Sequence, residues 1–139
     1  MRASIAAAVL ATASLAGQGA HATSGPALDY TLNCQGCHRA DGTGTPGGVP
    51  ALAGWVGRFL HVPGGREFLV QVPGVAQAPL DDEALAAVLN WVLERFDQDH
   101  VPPGFAPYTA SEVGRLRVRP LTNVDRVRRE LLEAAGRAR

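Results

Sequence analysis

The most regular hydrophobic pattern in the chain runs from Asp82 to Phe96, where Leu85, Val88, Leu89, Val92 and Phe96 recur at offsets of 0, 3, 4, 7 and 11. A stripe on that period predicts an amphipathic helix. Asp81, Asp82 and Glu83 stand at its start, where the helix dipole favours negative charge, and Arg95 stands near its end, where a cation is favoured. Upstream, Pro26 to Asn33 predicts a short helix, since proline is tolerated in a first turn. A further helix is expected from about Gly54 to Val62, carrying Trp55, Val56, Phe59 and Leu60. Pro63-Gly64-Gly65 ends it, and Arg66 to Val72 predicts another short helix before Pro73-Gly74. No segment alternates in the two-residue rhythm of a strand, so the fold class reads as all-α.

Two stretches interrupt this pattern. Asp41 to Gly48 is dense in glycine and predicts an irregular loop, and Val101 to Pro107 reads as a Pro/Gly linker. Beyond the linker, Thr109 and Glu112 have the spacing of a capping box, and Thr122 with Asp125 repeats it with Asp in place of Glu. Val124, Val127, Leu131 and Ala134 give the last predicted helix its apolar stripe. Charge divides at the linker. Thr23 to Pro107 holds four Arg against nine acidic residues, while Tyr108 to Arg139 holds eight Arg against four. Such a tail either packs on its own acidic domain or offers a basic docking surface to a partner of opposite charge.

The formal net charge of the 139 residues is zero and lysine is absent, so nothing global points to nucleic acid. Arg2, the apolar run Ala3 to Ala16 and the small-x-small triplet Ala20-His21-Ala22 read as a signal peptide over residues 1–22, cleaved near Ala22. The run is too short to span a bilayer, so no stable membrane insertion is expected, and a periplasmic or otherwise exported location is. The remaining organisation is expected as one domain over 23–100, a linker over 101–107 and an Arg-rich helical extension over 108–139.

Cys34-Gln35-Gly36-Cys37-His38 marks the 23–100 segment as a haem domain. The Cys-x-x-Cys-His spacing lets two thiols add to one haem c, and the next residue supplies an imidazole as proximal iron ligand. A redox dithiol would not need His38, and a zinc site would need a second ligand pair that the sequence lacks. The only methionine is Met1, inside the expected signal peptide.

The order of elements resembles a class I cytochrome c over roughly Pro26 to Phe96. The resemblance implies a cytochrome c-like helical fold around one covalent haem, with the final segments as a helical C-terminal extension. It implies that Pro50 offers its carbonyl to the His38 ring, fixing the imidazole and making it more electron-rich. It would also place a methionine ligand just before the long helix, yet this chain has Ala78-Pro79 there. The distal ligand is thus left between His61, His100, and water or an exogenous molecule above Ala78. The expected function is a periplasmic monohaem electron carrier serving redox partner proteins, with a non-Met distal site. Alternatives are an NO- or CO-binding or sensing protein and an accessory haem subunit of an exported oxidoreductase. Catalysis in its own right is not expected: the chain has no nucleotide-binding glycine pattern, nucleophile elbow or second haem motif.

Overall fold

The computed structural model describes residues 25–137, so the expected signal peptide, Met1 and His21 lie outside the described residues. Every regular element among these residues is helical. The chain begins with α1 (Pro26–Asn33), runs directly into the single turn α2 (Gln35–His38), and then crosses the glycine-rich loop. A 3-10 helix (Val56–His61), α3 (Gly65–Gln71) and α4 (Pro73–Ala76) follow. The long α5 (Asp82–Asp97) leads through a 3-10 turn (Gln98–His100) to α6 (Ala110–Arg117) and α7 (Val124–Arg137).

The predicted stripe builds the core. Leu85, Val88, Leu89 and Val92 on α5 are all buried, with Leu93 beside them. The carboxylate of Asp81 accepts the Ala84 amide at 2.8 Å and so satisfies one of the free donors of the first turn. The α1–α5 contact is aromatic. Tyr30 is 1% exposed and sits between Trp91 and Phe96, with ring centroids 5.2 Å away in each case. Its hydroxyl donates to the Arg39 carbonyl at 2.7 Å, so the one polar atom of this ring is satisfied.

The structure refines the sequence expectations in three places. The helix expected from about Gly54 to Val62 is present as a 3-10 helix over Val56–His61. Pro73–Ala76, for which the sequence predicts no element, forms the short helix α4, entered by Pro73 at its first position. Helix α7 is capped by Asn123, whose side-chain oxygen accepts the Arg126 amide, and not by Thr122. Asparagine is as good an acceptor as threonine, and it stands one residue nearer the observed start.

The segment after α5 lies on the domain that precedes it. Tyr108 is 4% exposed; its amide donates to the Asn90 side-chain oxygen at 2.8 Å, and its carbonyl accepts from the same side chain at 3.0 Å. The Tyr108 hydroxyl donates to the Arg66 carbonyl. Arg66 grips Glu112 through two parallel bonds of 2.6 and 2.7 Å, donates to the Ala106 carbonyl, and lies over the rings of Phe105 and Tyr108. Val113 of α6 is fully buried, and Thr109 caps that helix as its spacing predicts. Bidentate pairing of this kind is stronger than an ordinary surface ion pair because the planar fork is already organised.

The Arg66 bonds hold the Glu112 carboxyl below its ordinary value of 4.5. A depressed carboxylate contributes stability above its unfolded pKa, and that contribution is lost as pH falls through the folded one. Glu112→Gln is therefore expected to lower unfolding free energy by about 1–2 kcal/mol at neutral pH. The difference from wild type should shrink progressively below pH 4.5. Chemical denaturation at neutral and acid pH measures both; an equal loss at both would show that the ion pair is not responsible.

Candidate functional site

One large cavity lies inside the helical shell, with a volume of about 360 Å³. That falls in the range of cofactor sites. Its walls are almost entirely hydrocarbon: Leu52, Val56 and Phe59 from the middle of the chain, Phe68 and Leu69 from α3, and Leu85, Val88 and Leu89 from α5. At one edge stand Cys34, Cys37 and His38, brought together because α2 is a single tight turn. The amides of Cys37 and His38 both return to the Cys34 carbonyl, at 3.2 and 2.9 Å. Both thiols are free. Burial, with Asp29 nearby, pushes the Cys34 thiol up.

His38 is fixed by the loop that follows. Its Nδ1 lies 3.1 Å from the Pro50 carbonyl, so the N–H is on Nδ1 and the lone pair on Nε2. Burial pushes the His38 pKa down and so favours the neutral, ligating form of the ring, an effect that the Pro50 bond partly offsets. The loop achieves this approach through Gly44, at φ 68, whose amide donates to the His38 carbonyl at 3.1 Å. A Cβ at Gly44 would collide with the carbonyl oxygen of Val49 and the backbone of Pro50. The second bond of the hairpin, Thr45 amide to Val49 carbonyl at 2.8 Å, closes the loop directly before Pro50.

The segment Ala76 to Leu80 contributes Ala78 to the cavity wall. This short ribbon is held by one residue of the extension. Arg117 donates to the carbonyls of Ala76, Ala78 and Leu80 at 3.0, 2.6 and 2.8 Å, and to Asp82 at 3.1 Å. Leu121 adds a backbone bond to Gln71. Three otherwise unpaired carbonyls are thereby satisfied from outside.

The remaining sequence candidates lie elsewhere. His61 and His100 do not line the cavity. His61 is exposed, and its Nε2 donates to the His100 carbonyl at 2.8 Å. The His100 ring is taken by the buried Asp97 at 2.6 Å, whose other oxygen accepts the Gly57 amide. Both imidazoles thus belong to the joint between α5 and the 3-10 helix. The cavity therefore unites Cys34, Cys37, His38 and Pro50 and leaves His61 and His100 outside.

No protein-family model matches the chain. Cytochrome c-552 from Thermus thermophilus is 38% identical to it over 107 residues, which cover 64% of this chain and 82% of that protein. The chain belongs to the cytochrome c-552 family. A second cytochrome c-552, from a named strain of the same species, matches at the same identity over 107 residues, covering 72% of its own length. This member is accordingly a monohaem c-type cytochrome whose cofactor is covalent haem c, and an electron carrier rather than an enzyme. The match extends over 107 residues yet only 64% of a 139-residue chain, so the relatives hold residues within it that have no counterpart here.

The cavity fits that cofactor. It offers two free thiols, one neutral imidazole with a carbonyl behind it, and otherwise apolar walls to keep water from the ring. Sequence reasoning missed Arg117 and Arg128, the latter also on the cavity lining. A signal for Arg128 was present: it falls four residues after Val124 and three before Leu131, on the apolar stripe of α7. Nothing in the local sequence marks Arg117.

Gly44→Ala should cost about 1–2 kcal/mol in unfolding free energy, from the left-handed backbone and the enforced shift of Val49 and Pro50. Losing the carbonyl behind His38 makes the imidazole a weaker donor, so the reduction potential is expected to rise. Redox titration of the purified cytochrome checks this; an unchanged potential would mean that the His38–Pro50 bond survives without the glycine.

Proposed function

We propose that this cytochrome is a periplasmic one-electron carrier whose iron has no protein ligand on the side away from His38. Cys34 and Cys37 hold the haem by two thioether links, His38 ligates through Nε2, and Pro50 orients that ring. When bound, the haem supplies a ferric/ferrous couple, and the apolar walls set its accessibility to water. The observation that carries this reading is the composition of the cavity wall. Apart from His38 and the two cysteines, the lining holds no sulfur or imidazole; the Tyr30 hydroxyl is spent on the Arg39 carbonyl, and the Asn33 side chain is tied back to the Asp29 carbonyl beside the attachment motif. His61 and His100, the alternatives within the described residues, are engaged with each other and with Asp97.

The ribbon before α5 supports the same conclusion. Only Gln77 to Asp81 separate α4 from α5. A strip so short, tied by Arg117, leaves no slack for a ligand-bearing loop to approach the iron. Export is supported by the signal-like features of residues 1–22, and no helix among the described residues is long and apolar enough to cross a membrane. Redox partners with acidic surfaces suit the exposed Arg115 and Arg119 of the extension.

The same apolar wall above the iron also favours a second reading, capture of NO or CO. The two differ in whether the protein exchanges electrons rapidly with a partner oxidoreductase.

Ferrous protein exposed to CO should show a prompt shift of its Soret band, because no endogenous ligand has to leave first. A CO-insensitive, six-coordinate low-spin spectrum would overturn the distal assignment. Cys34→Ser and Cys37→Ser should each weaken covalent attachment, and the double variant should lose haem staining on denaturing gels. Staining of the double variant at wild-type strength would remove these two residues from the site.

A further inference from the structure

A second cavity of about 340 Å³ adjoins the first. It is lined by the glycine-rich loop, including Thr43, Thr45 and Gly48, and shares Val49, Pro50, Ala51 and Arg128 with the large cavity. The two spaces differ in chemistry. The first is walled by hydrocarbon, whereas the second is bordered by loop backbone, threonine side chains and one guanidinium. Arg128 stands where they meet.

Its position is unusual for the helix that carries it. Helix α7 turns Val124, Val127 and Leu131 against the core, and Arg128 occupies the same stripe. The other arginines of the extension are accounted for differently. Arg117 is saturated by carbonyls and Asp82, Arg126 pairs with Glu130, and Arg129 is exposed to solvent. Among the described residues the Arg128 guanidinium has no hydrogen-bond or ion-pair partner. It is nevertheless half-buried. A partly buried arginine with no anion beside it leaves the donors of its fork available to a carboxylate from outside the protein.

We propose that Arg128 is a cofactor-binding residue, and that its partner is a propionate carboxylate of the haem, received in the polar cavity beside Thr43 to Ala51. This rests on the reading that the haem occupies the large cavity with His38 at its proximal edge. A haem has an apolar ring and two carboxylates on one edge, and the paired cavities reproduce that division. Arginine suits a carboxylate because its fork can bond both oxygens. The consequence is electrostatic as well as structural. A cation beside the ring favours the ferrous state, which has one positive charge fewer, so Arg128 raises the potential.

Arg128→Gln, produced as full-length holoprotein, tests this, with Arg129→Gln as the control of equal charge change. Haem content is measured first by pyridine haemochrome, followed by redox titration and by the propionate bending band in resonance Raman spectra. For Arg128→Gln we expect full covalent haem, a displaced propionate band, and a lower potential. The ferrous-to-ferric ratio at a fixed electrode potential should fall roughly threefold to tenfold, the upper figure being about 59 mV for one electron. Arg128→Lys should keep much of the potential and should fold even where the glutamine variant does not. Arg129→Gln should match wild type. Equal potentials and an unmoved band in Arg128→Gln and Arg129→Gln would overturn the proposal. Absence of haem from the wild-type protein would instead overturn the reading on which it rests.

Discussion

One guanidinium from the C-terminal extension ties down the ribbon of chain that closes one side of the cavity. Arg117 reaches from α6 to three carbonyls, at Ala76, Ala78 and Leu80, in a ribbon with almost no regular structure of its own. Backbone that is neither helix nor strand must find partners, and here they come from a segment about forty residues further along the chain. Arg66 does the reciprocal work from the other side, holding Glu112 and the Ala106 carbonyl so that α6 cannot lift away. The extension is thus a structural part of the haem shell. Its excess of arginine over acid is explained in part by these two contacts, and only the exposed remainder is available for steering a partner.

The opposite edge of the cavity relies on local chain geometry instead. A single turn gathers Cys34, Cys37 and His38, and a glycine hairpin brings Pro50 back under the imidazole. The first needs only sequence spacing; the second needs Gly44, since any side chain there would strike Val49 and Pro50. Proximal geometry is therefore encoded within a span from Cys34 to Pro50, whereas the far wall depends on contacts distant in sequence. This separation accounts for how a chain can keep the attachment motif of its family while carrying Ala78 where a methionine would be expected.

It also determines what could be read from the sequence. The α5 stripe, α1, the Thr109 cap and the haem motif are local signals, and each appears in the structure where its residues predict it. The 3-10 helix and α4 were harder to recognise, because short apolar segments between prolines and glycines fit several backbone conformations equally well. Its place before Pro63-Gly64-Gly65 makes His61 a ligand candidate in the sequence, and only the fold shows its Nε2 committed to the His100 carbonyl. Arg117 and Arg128 are single charged residues in a charged tail. Their difference from Arg129 is a matter of which way a helix faces once it has docked.

The hydrocarbon lining of the large cavity has one further effect. Val56, Phe59, Leu69, Leu85, Val88 and Leu89 carry no side-chain dipoles that must turn when the charge of a neighbouring centre changes by one. Surroundings that hardly relax leave the oxidised and reduced forms close in shape and solvation. Little energy is then spent rearranging the medium each time an electron arrives or departs, so the walls that keep the ring dry also make it quick to exchange charge.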